Sequence, residues 1–521
     1  MKIGLTLAVS LVALAVLVLA VGGRGVSPAY ANPTDPGDPD SPCLTGLHVK
    51  SFTASPSSVD LGQTATLRWN VQVPRSCAQL RLELLGQAVR LQGTLRVTPI
   101  ANTTYLLNAR WRGQRAGTIA RFALEVVLPP LVTIDDNHLA PLLNQALGTP
   151  GTTIRVLDGV DLDLTGYAGI TVAQGVTLIG GRTPREPGPR LYTRTHPKRL
   201  FVIRGDNVRI TGTRIQGPDM DVANDDGGPA SAIYLNSHVN IEIDHNELYG
   251  WKNSAVDLSD DDDRISYVLN PETVRIHDNF IHHNQHVDKF GYGVVINNGA
   301  YALIERNVFD YNRHAIAGDG SDDSGYRAYQ NLVLQHGGRH HKWGWWWSHT
   351  HQFDMHGQDS CGIWSLFRDN VFNCGTAGHD IEIRNNSFLY TEHAAIKLRG
   401  TPQLKPYGAF VVSNVFAHTH LGDAVKQTET GLYLANNRVG INGSDRYGTC
   451  DFDGDRVDDR FMATGETWWY SSRGTGPWAY LNTSAKLLPE LTLGQFDGDN
   501  RCDVAAGELL SSGGTDSWRP R

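Results

Sequence analysis

The chain is 521 residues long, which accommodates two to four domains and at least one sizeable core. Its formal net charge of −8 comes with no basic block, which excludes a nucleic-acid-binding role. Six cysteines, none at metal-site spacing, read as three local disulfides of an exported protein: Cys43 with Cys77, Cys361 with Cys374, and Cys450 with Cys502.

Residues 1–31 open with a lysine and a long apolar run, then reach a small-x-small site at Ala29 and Ala31. That pattern is a cleaved secretory signal, with an uncleaved anchor as the alternative. It predicts a secreted, extracellular protein with no membrane attachment once the signal is removed. The oligomeric state is not set by the sequence, and a monomer is the default. Residues 32–42, "NPTDPGDPDSP", form a Pro/Asp linker with nothing to pack. In residues 43–130, apolar Ala65, Leu67 and Trp69 alternate with polar neighbours, and Tyr105, Leu107 and Ala109 repeat the pattern. Short alternating strands separated by turns predict a small β-sandwich with Trp69 in its core. This segment resembles the immunoglobulin-like modules of secreted bacterial enzymes and adhesins, and it carries no catalytic grouping.

Residues 131–445 repeat. "IEIDHNEL", "VRIHDNFI", "ALIERNVF", "YRAYQNLV", "IEIRNNSF" and "FVVSNVF" each place an asparagine after a short alternating strand. These are Asn246, Asn279, Asn307, Asn331, Asn386 and Asn414, with Asn437 as a seventh. Stacked coils would set the amides over one another, where they can bond along the column. The pattern resembles the pectate-lyase-like superfamily, which implies an all-β chain built on a right-handed parallel β-helix. "NHLAPLLNQAL" (137–147) is the expected helical cover of its first coil. Residues 446–521 carry two Asp-rich loops, with Asp451, Asp453, Asp455 and Asp459 in one and Asp497, Asp499 and Asp503 in the other. Their oxygen-rich spacing suits calcium, and both loops resemble FG-GAP repeats of integrin-like propellers. Two copies cannot close a propeller, so a short β appendage is expected.

A second strand family in the same repeats ("AIYLN", "AVDLS", "GVVIN", "AIAGD", "QFDMH", "AIKLR", "AVKQT") locates the chemistry. One alternate set is apolar and should line the interior; the other should face solvent in two columns. The first column reads Tyr234, Asp257, Val295, Ala317, Asp354, Lys397 and Lys426; the second reads Asn236, Ser259, Asn297, Asp319, His356, Arg399 and Thr428. Asp319, Asp354, His356, Lys397 and Arg399 are the candidate catalytic residues. Asn331 to Asn386 spans 55 residues, about twice a normal coil, so two long loops flank this rung. One of them holds Trp345, Trp346, Trp347, His349 and His351, suited to stacking on sugar rings. With Asn297 and Asp257 these form the candidate glycan-binding set, and a polysaccharide is the expected partner.

Two mechanisms fit. β-Elimination of a uronate polymer could use Lys397 as base, with His356 as the alternative, and Arg399 to neutralise the carboxylate. Calcium held by Asp257, Asp319 or Asp354 could assist. This resembles the chemistry of β-helix pectate, alginate and chondroitin lyases, although no one family's complete motif aligns. Inverting hydrolysis could use Asp319 and Asp354, whose backbones should lie on the order of 8 Å apart. Two further possibilities are a zinc site from His349, His351 and His356, with Asp354, and a glycan binder whose charges merely pair across strands. Arg313 and His314 are expected at the coil edge, and "DLSDDDD" (257–263) as a solvated acidic loop.

Overall fold

The structure is a computed structural model. It describes residues 46–521 except 61–62, 75–76, 78–79, 100–102, 112–113, 128–130, 221–227, 268, 287–289, 343–345, 359–373, 404–407, 428–430, 442–445 and 516. The signal segment, the linker, Cys43, Cys361, Trp345 and Thr428 therefore lie outside the described residues. The chain divides after Val127 into two compact units.

The first unit is a two-sheet sandwich, with three strands in one sheet and five in the other among the described residues. Pairing is antiparallel apart from the short strand Ser58–Asp60, which runs parallel to the long strand Gln114–Val127. Trp69 is buried with Leu67, Leu82 and Leu107 in its core, and its indole N–H donates to the Arg90 carbonyl at 2.8 Å. Gly93 is needed opposite the ring, because a Cβ there would lie 2.5 Å from it.

The second unit is a parallel β-helix. Its coils stack into three parallel sheets of eleven, ten and nine strands among the described residues. The first sheet runs from Val132–Ile134 to Leu432–Ala435, the second from Asp161–Asp163 to Arg438–Val439, and the third from Ile170–Val172 to Val425–Gln427. The helix Ala140–Leu147 buries Leu143, Ala146 and Leu147 with the side chains of the first coils. Burial of one apolar stack through every coil holds the solenoid together.

The asparagine column forms as a ladder. Asn246, Asn279, Asn307, Asn331, Asn386 and Asn414 each donate a side-chain N–H to the side-chain oxygen of the next asparagine, at 2.9–3.2 Å, ending on Asn437. The same oxygens accept the backbone N–H of the preceding asparagine, which satisfies a buried turn that otherwise lacks partners. In a second, shorter column Asn284 donates its side-chain N–H to the Asn312 side-chain oxygen at 2.9 Å.

The tail comprises two four-stranded antiparallel sheets, each with an acidic loop between its first and second strands. Cys450 and Cys502 are bonded and tie the two copies together. Cys77 and Cys374 are also disulfide-bonded. The tail is a short β appendage that packs back against the solenoid. Met462 and Trp469 pack on Val308, Leu332 and Leu389, covering part of the second sheet. Ser387 and Thr464 hydroxyls bond at 2.8 Å across the same junction.

Candidate functional site

The third sheet carries the two columns in the expected register. Tyr234 pairs with Asp257, Asp257 with Val295, Val295 with Ala317, Asp354 with Lys397, and Lys397 with Lys426. Ile316 pairs with Phe353, which puts Ala317 beside Asp354. The alternate residues Ile233, Val256, Val294, Ile316, Phe353, Met355, Ile396 and Leu398 are all interior. The opposite register would have exposed these and enclosed the charges in the coil.

Outward does not mean exposed, and here the expectation of solvent-facing columns needs correction. Asp354 has 0% exposure, and Arg399 and Asp257 are also buried. Asp354 is enclosed by its own partners. Its Oδ1 accepts Arg399 Nε at 3.0 Å and lies 3.0 Å from His351 Nε2. Its Oδ2 is paired with Arg399 Nη2 and lies 3.0 Å from His356 Nε2. Burial alone would raise the Asp354 carboxyl, but Arg399, His351 and His356 hold it well below the usual carboxylate range. Asp354 is therefore a fixed negative charge. Lys397 stands half-buried on the next rung and Lys426 one rung further.

Two glycines allow this packing. Gly320 has φ +79°, and a Cβ there would lie 2.1 Å from the His356 carbonyl; one on Gly357 would lie 2.2 Å from the Arg399 carbonyl.

The remaining predicted residues fall into three groups. Asp319 is consumed by a turn: it accepts bonds from Asn298 N, Ser321 N, Ser321 Oγ and Ser324 Oγ at 2.8–3.0 Å. Asn297 donates to Asp257 at 3.1 Å, so these two are together, but Asp257 sits three rungs, about 14 Å, from Asp354. Burial raises the Asp257 carboxyl to about 6, with Arg199 opposing. The tryptophan stretch is an antiparallel hairpin, Arg339–Lys342 against Trp346–His349. Trp347 remains 42% exposed, between Arg339 at 4.1 Å and His341 at 3.9 Å from its ring. His349 lies on the hairpin's last residue near Tyr390, while His351 has left it for the Asp354 cluster.

The structure also adds a third outward column: Ser231, Ser254, Tyr292 and His314 are register partners, and His351 follows. Tyr292 stacks on His314 at 5.6 Å, and His314 meets His351 at 4.4 Å between ring centroids. His314 is thus buried in the site and not at a coil edge. Extending each strand alignment three residues upstream would have revealed this column, since a bend turns that position outward again. Burial pushes His351 down to about 3 and His314 well below the usual imidazole range. Next to Lys397, His393 is also lowered, by burial and then by Lys397, Lys426, His349 and His418.

In the tail, Asp451, Asp453 and Asp459 bring oxygens within 4.8 Å of one another, and so do Asp497, Asp499 and Asp503. These donors fit a calcium ion by type and spacing. Asp455 is instead turned to Arg473 at 2.6 Å. Arg185, from the solenoid, reaches Asp453 at 2.6 Å and competes for the first loop.

No family model matches the chain, and no curated protein matches it. Among solved structures it is similar to Geobacillus virus E2 ORF18, at 11% identity over 80% of this chain and 92% of that one, with a TM-score of 0.33. It is similar to a family 28 exopolygalacturonase of Yersinia enterocolitica at 11% identity, 76% and 99% coverage, and a TM-score of 0.27. A third is the catalytic unit of a GH87 α-1,3-glucanase of Streptomyces thermodiastaticus, at 11% identity, 73% and 79% coverage, and a TM-score of 0.30. None of these likenesses bears on the reaction.

Proposed function

We propose that this protein is a secreted, carbohydrate-active β-helix protein that cleaves a uronate-containing polysaccharide by β-elimination. The observation that carries this is the row Asp354, Lys397, Lys426 on successive rungs, with His356 and Arg399 alongside. Lys397 and Lys426 on successive rungs present positive charge to a polyanion, with Lys426 beside Asp423 at 3.4 Å. Lys397 is assigned as the base that removes the C5 proton, and Lys426 as the cation facing the substrate carboxylate. Arg399 changes role, because it cannot neutralise substrate without releasing buried Asp354; it is a positioning residue. His356, oriented by Asp354, is the alternative base. Trp347 on the hairpin offers a stacking face.

Inverting hydrolysis is less well served. It needs one carboxyl that keeps its proton and one that activates water. Asp354 is ionised and enclosed, and Asp319 is tied into its turn. No described helix is long and apolar enough to cross a membrane, and the disulfides suit an oxidising compartment. Calcium is proposed for the two tail loops, where it would supply structural charge balance. The sandwich and the tail are proposed as immunoglobulin-like and FG-GAP-like modules.

A panel of polyuronates and neutral glycans, incubated with and without calcium, tests the assignment. Ultraviolet absorbance from unsaturated ends supports it. Reducing ends without that absorbance would establish hydrolysis, and retention without cleavage would establish a binder.

A further inference from the structure

The sequence suggested His349, His351 and His356 as a conceivable metal set, and the fold assembles a different one. One ligand atom each from His314, His351 and Asp354 lies within 4.8 Å of the others, and all three residues are buried. His314 Nδ1 lies 2.8 Å from the His351 carbonyl, which can only accept, so Nδ1 carries the proton. That leaves His314 Nε2 as a bare lone pair, buried and without a hydrogen-bond partner. His351 Nε2 is likewise buried without a well-directed hydrogen bond, although Asp354 Oδ1 is 3.0 Å away. An orphaned imidazole nitrogen buried beside a second imidazole and a carboxylate is costly in a folded protein unless something joins them.

We propose that His314, His351 and Asp354 form a binding site for a divalent transition-metal ion of the zinc class. Two imidazoles and one carboxylate are a common zinc donor set, at about 2.0–2.2 Å per bond, so small side-chain rotations would bring the three onto one ion. The His314–carbonyl bond is the kind of outer contact that fixes a ligating imidazole's tautomer and direction. Arg399 is the main opposing effect, since its charge repels a cation. It occupies one lone pair on each Asp354 oxygen and leaves a second on Oδ1 facing His351. Its position then orients the carboxylate at some cost in affinity. The site shares Asp354 with the proposed elimination centre, but metal binding can be read without substrate.

The test is zinc titration of the full chain by calorimetry, with calcium in excess to occupy the acidic loops, and cobalt(II) absorption as a second readout. One zinc equivalent is expected, with cobalt giving visible d–d bands that zinc removes. His314→Gln and His351→Gln should each abolish that equivalent. His277→Gln should keep it, since His277 belongs to the other histidine-containing cluster among the described residues, with Glu242 and Asp244 on the first sheet. If zinc binds nowhere, survives His314→Gln, or disappears only in His277→Gln, the assignment is overturned. Should His314→Gln fail to fold, the cobalt spectrum of the unaltered chain and its loss in His351→Gln decide.

Discussion

The first and third sheets each bury an outward aspartate beneath an arginine, yet they do so in different company. On the first sheet Asp244 accepts two bonds from Arg209, at 2.7 and 2.8 Å, and others from Thr211 and His245. Its surroundings alternate in sign: Arg209, Glu242 and Arg275 follow one another across rungs, and Arg275 then bonds Glu305. On the third sheet the column runs Asp257, Val295, Ala317, Asp354, Lys397, Lys426, with two lysines in succession. A balanced ladder is what cross-strand pairing selects for stability. Two lysines in succession, one of them beside Asp423 at 3.4 Å, break that alternation, as a surface that meets a polyanion would. The ion pair alone therefore says little; the sign of what surrounds it separates scaffold from site.

The sharpest way to break this comparison is to remove one base from each face. Lys397→Ala should lower elimination about 10²–10⁴-fold while substrate retention largely survives, because the base acts in the transition state. Arg275→Ala on the first sheet should leave turnover unchanged. Equal losses in both would show that the effect is structural.

Stability gives the next contrast. Arg399→Ala leaves Asp354 charged, buried and short of its main partner, a loss of about 3–5 kcal/mol. Arg209 is 44% exposed, so water can replace its guanidinium while Thr211 and His245 stay on Asp244, and Arg209→Ala should cost less than Arg399→Ala. Thermal melts of the two variants, measured side by side, check the order; a reversal would mean that Asp354 is open to solvent.

Asp310 on the second sheet is a carboxylate without a strong cation. Burial pushes it up to about 7, against backbone bonds from His336 and Tyr311. The unfolded chain releases this proton near the usual carboxylate value and the folded chain only near 7. Its contribution to stability is therefore present at low pH and lost as pH rises from about 4 to about 7. Asp310→Asn should melt higher than the parent at pH 8, by the equivalent of roughly 2–4 kcal/mol, and alike near pH 4. Identical pH profiles would sink the burial argument.

The last contrast is calcium on the tail. Ion binding to the folded loops should stabilise the tail by about 2.7 kcal/mol at a hundred times the dissociation constant, read as a melting temperature that rises with calcium concentration. Asp453→Ala with Asp455→Ala should remove the part due to the first loop. Arg185→Ala should enlarge that part, because the guanidinium and the ion compete for Asp453. An unchanged calcium response in the double variant would show that the first loop does not bind it.

Much of this architecture is written locally. Period-two alternation marks which residues line the coil, and a repeated asparagine marks the buried turn, because both depend only on chain direction and on satisfying nearby backbone groups. For the same reason the sequence placed Asp354, His356, Lys397 and Arg399 on adjacent rungs. Tertiary structure alone decided how those rungs are used. Whether Asp319 faces a substrate or caps its own turn depends on Ser321, Ser324 and Asn298 closing around it. Whether Arg399 is available depends on the burial of Asp354. That His314 belongs with His351 and Asp354 follows from a bend that sets a third position outward, where residues 37 apart in sequence meet as rung neighbours. Periodicity reports the direction of a side chain; only packing determines its neighbours, its solvent and therefore its charge.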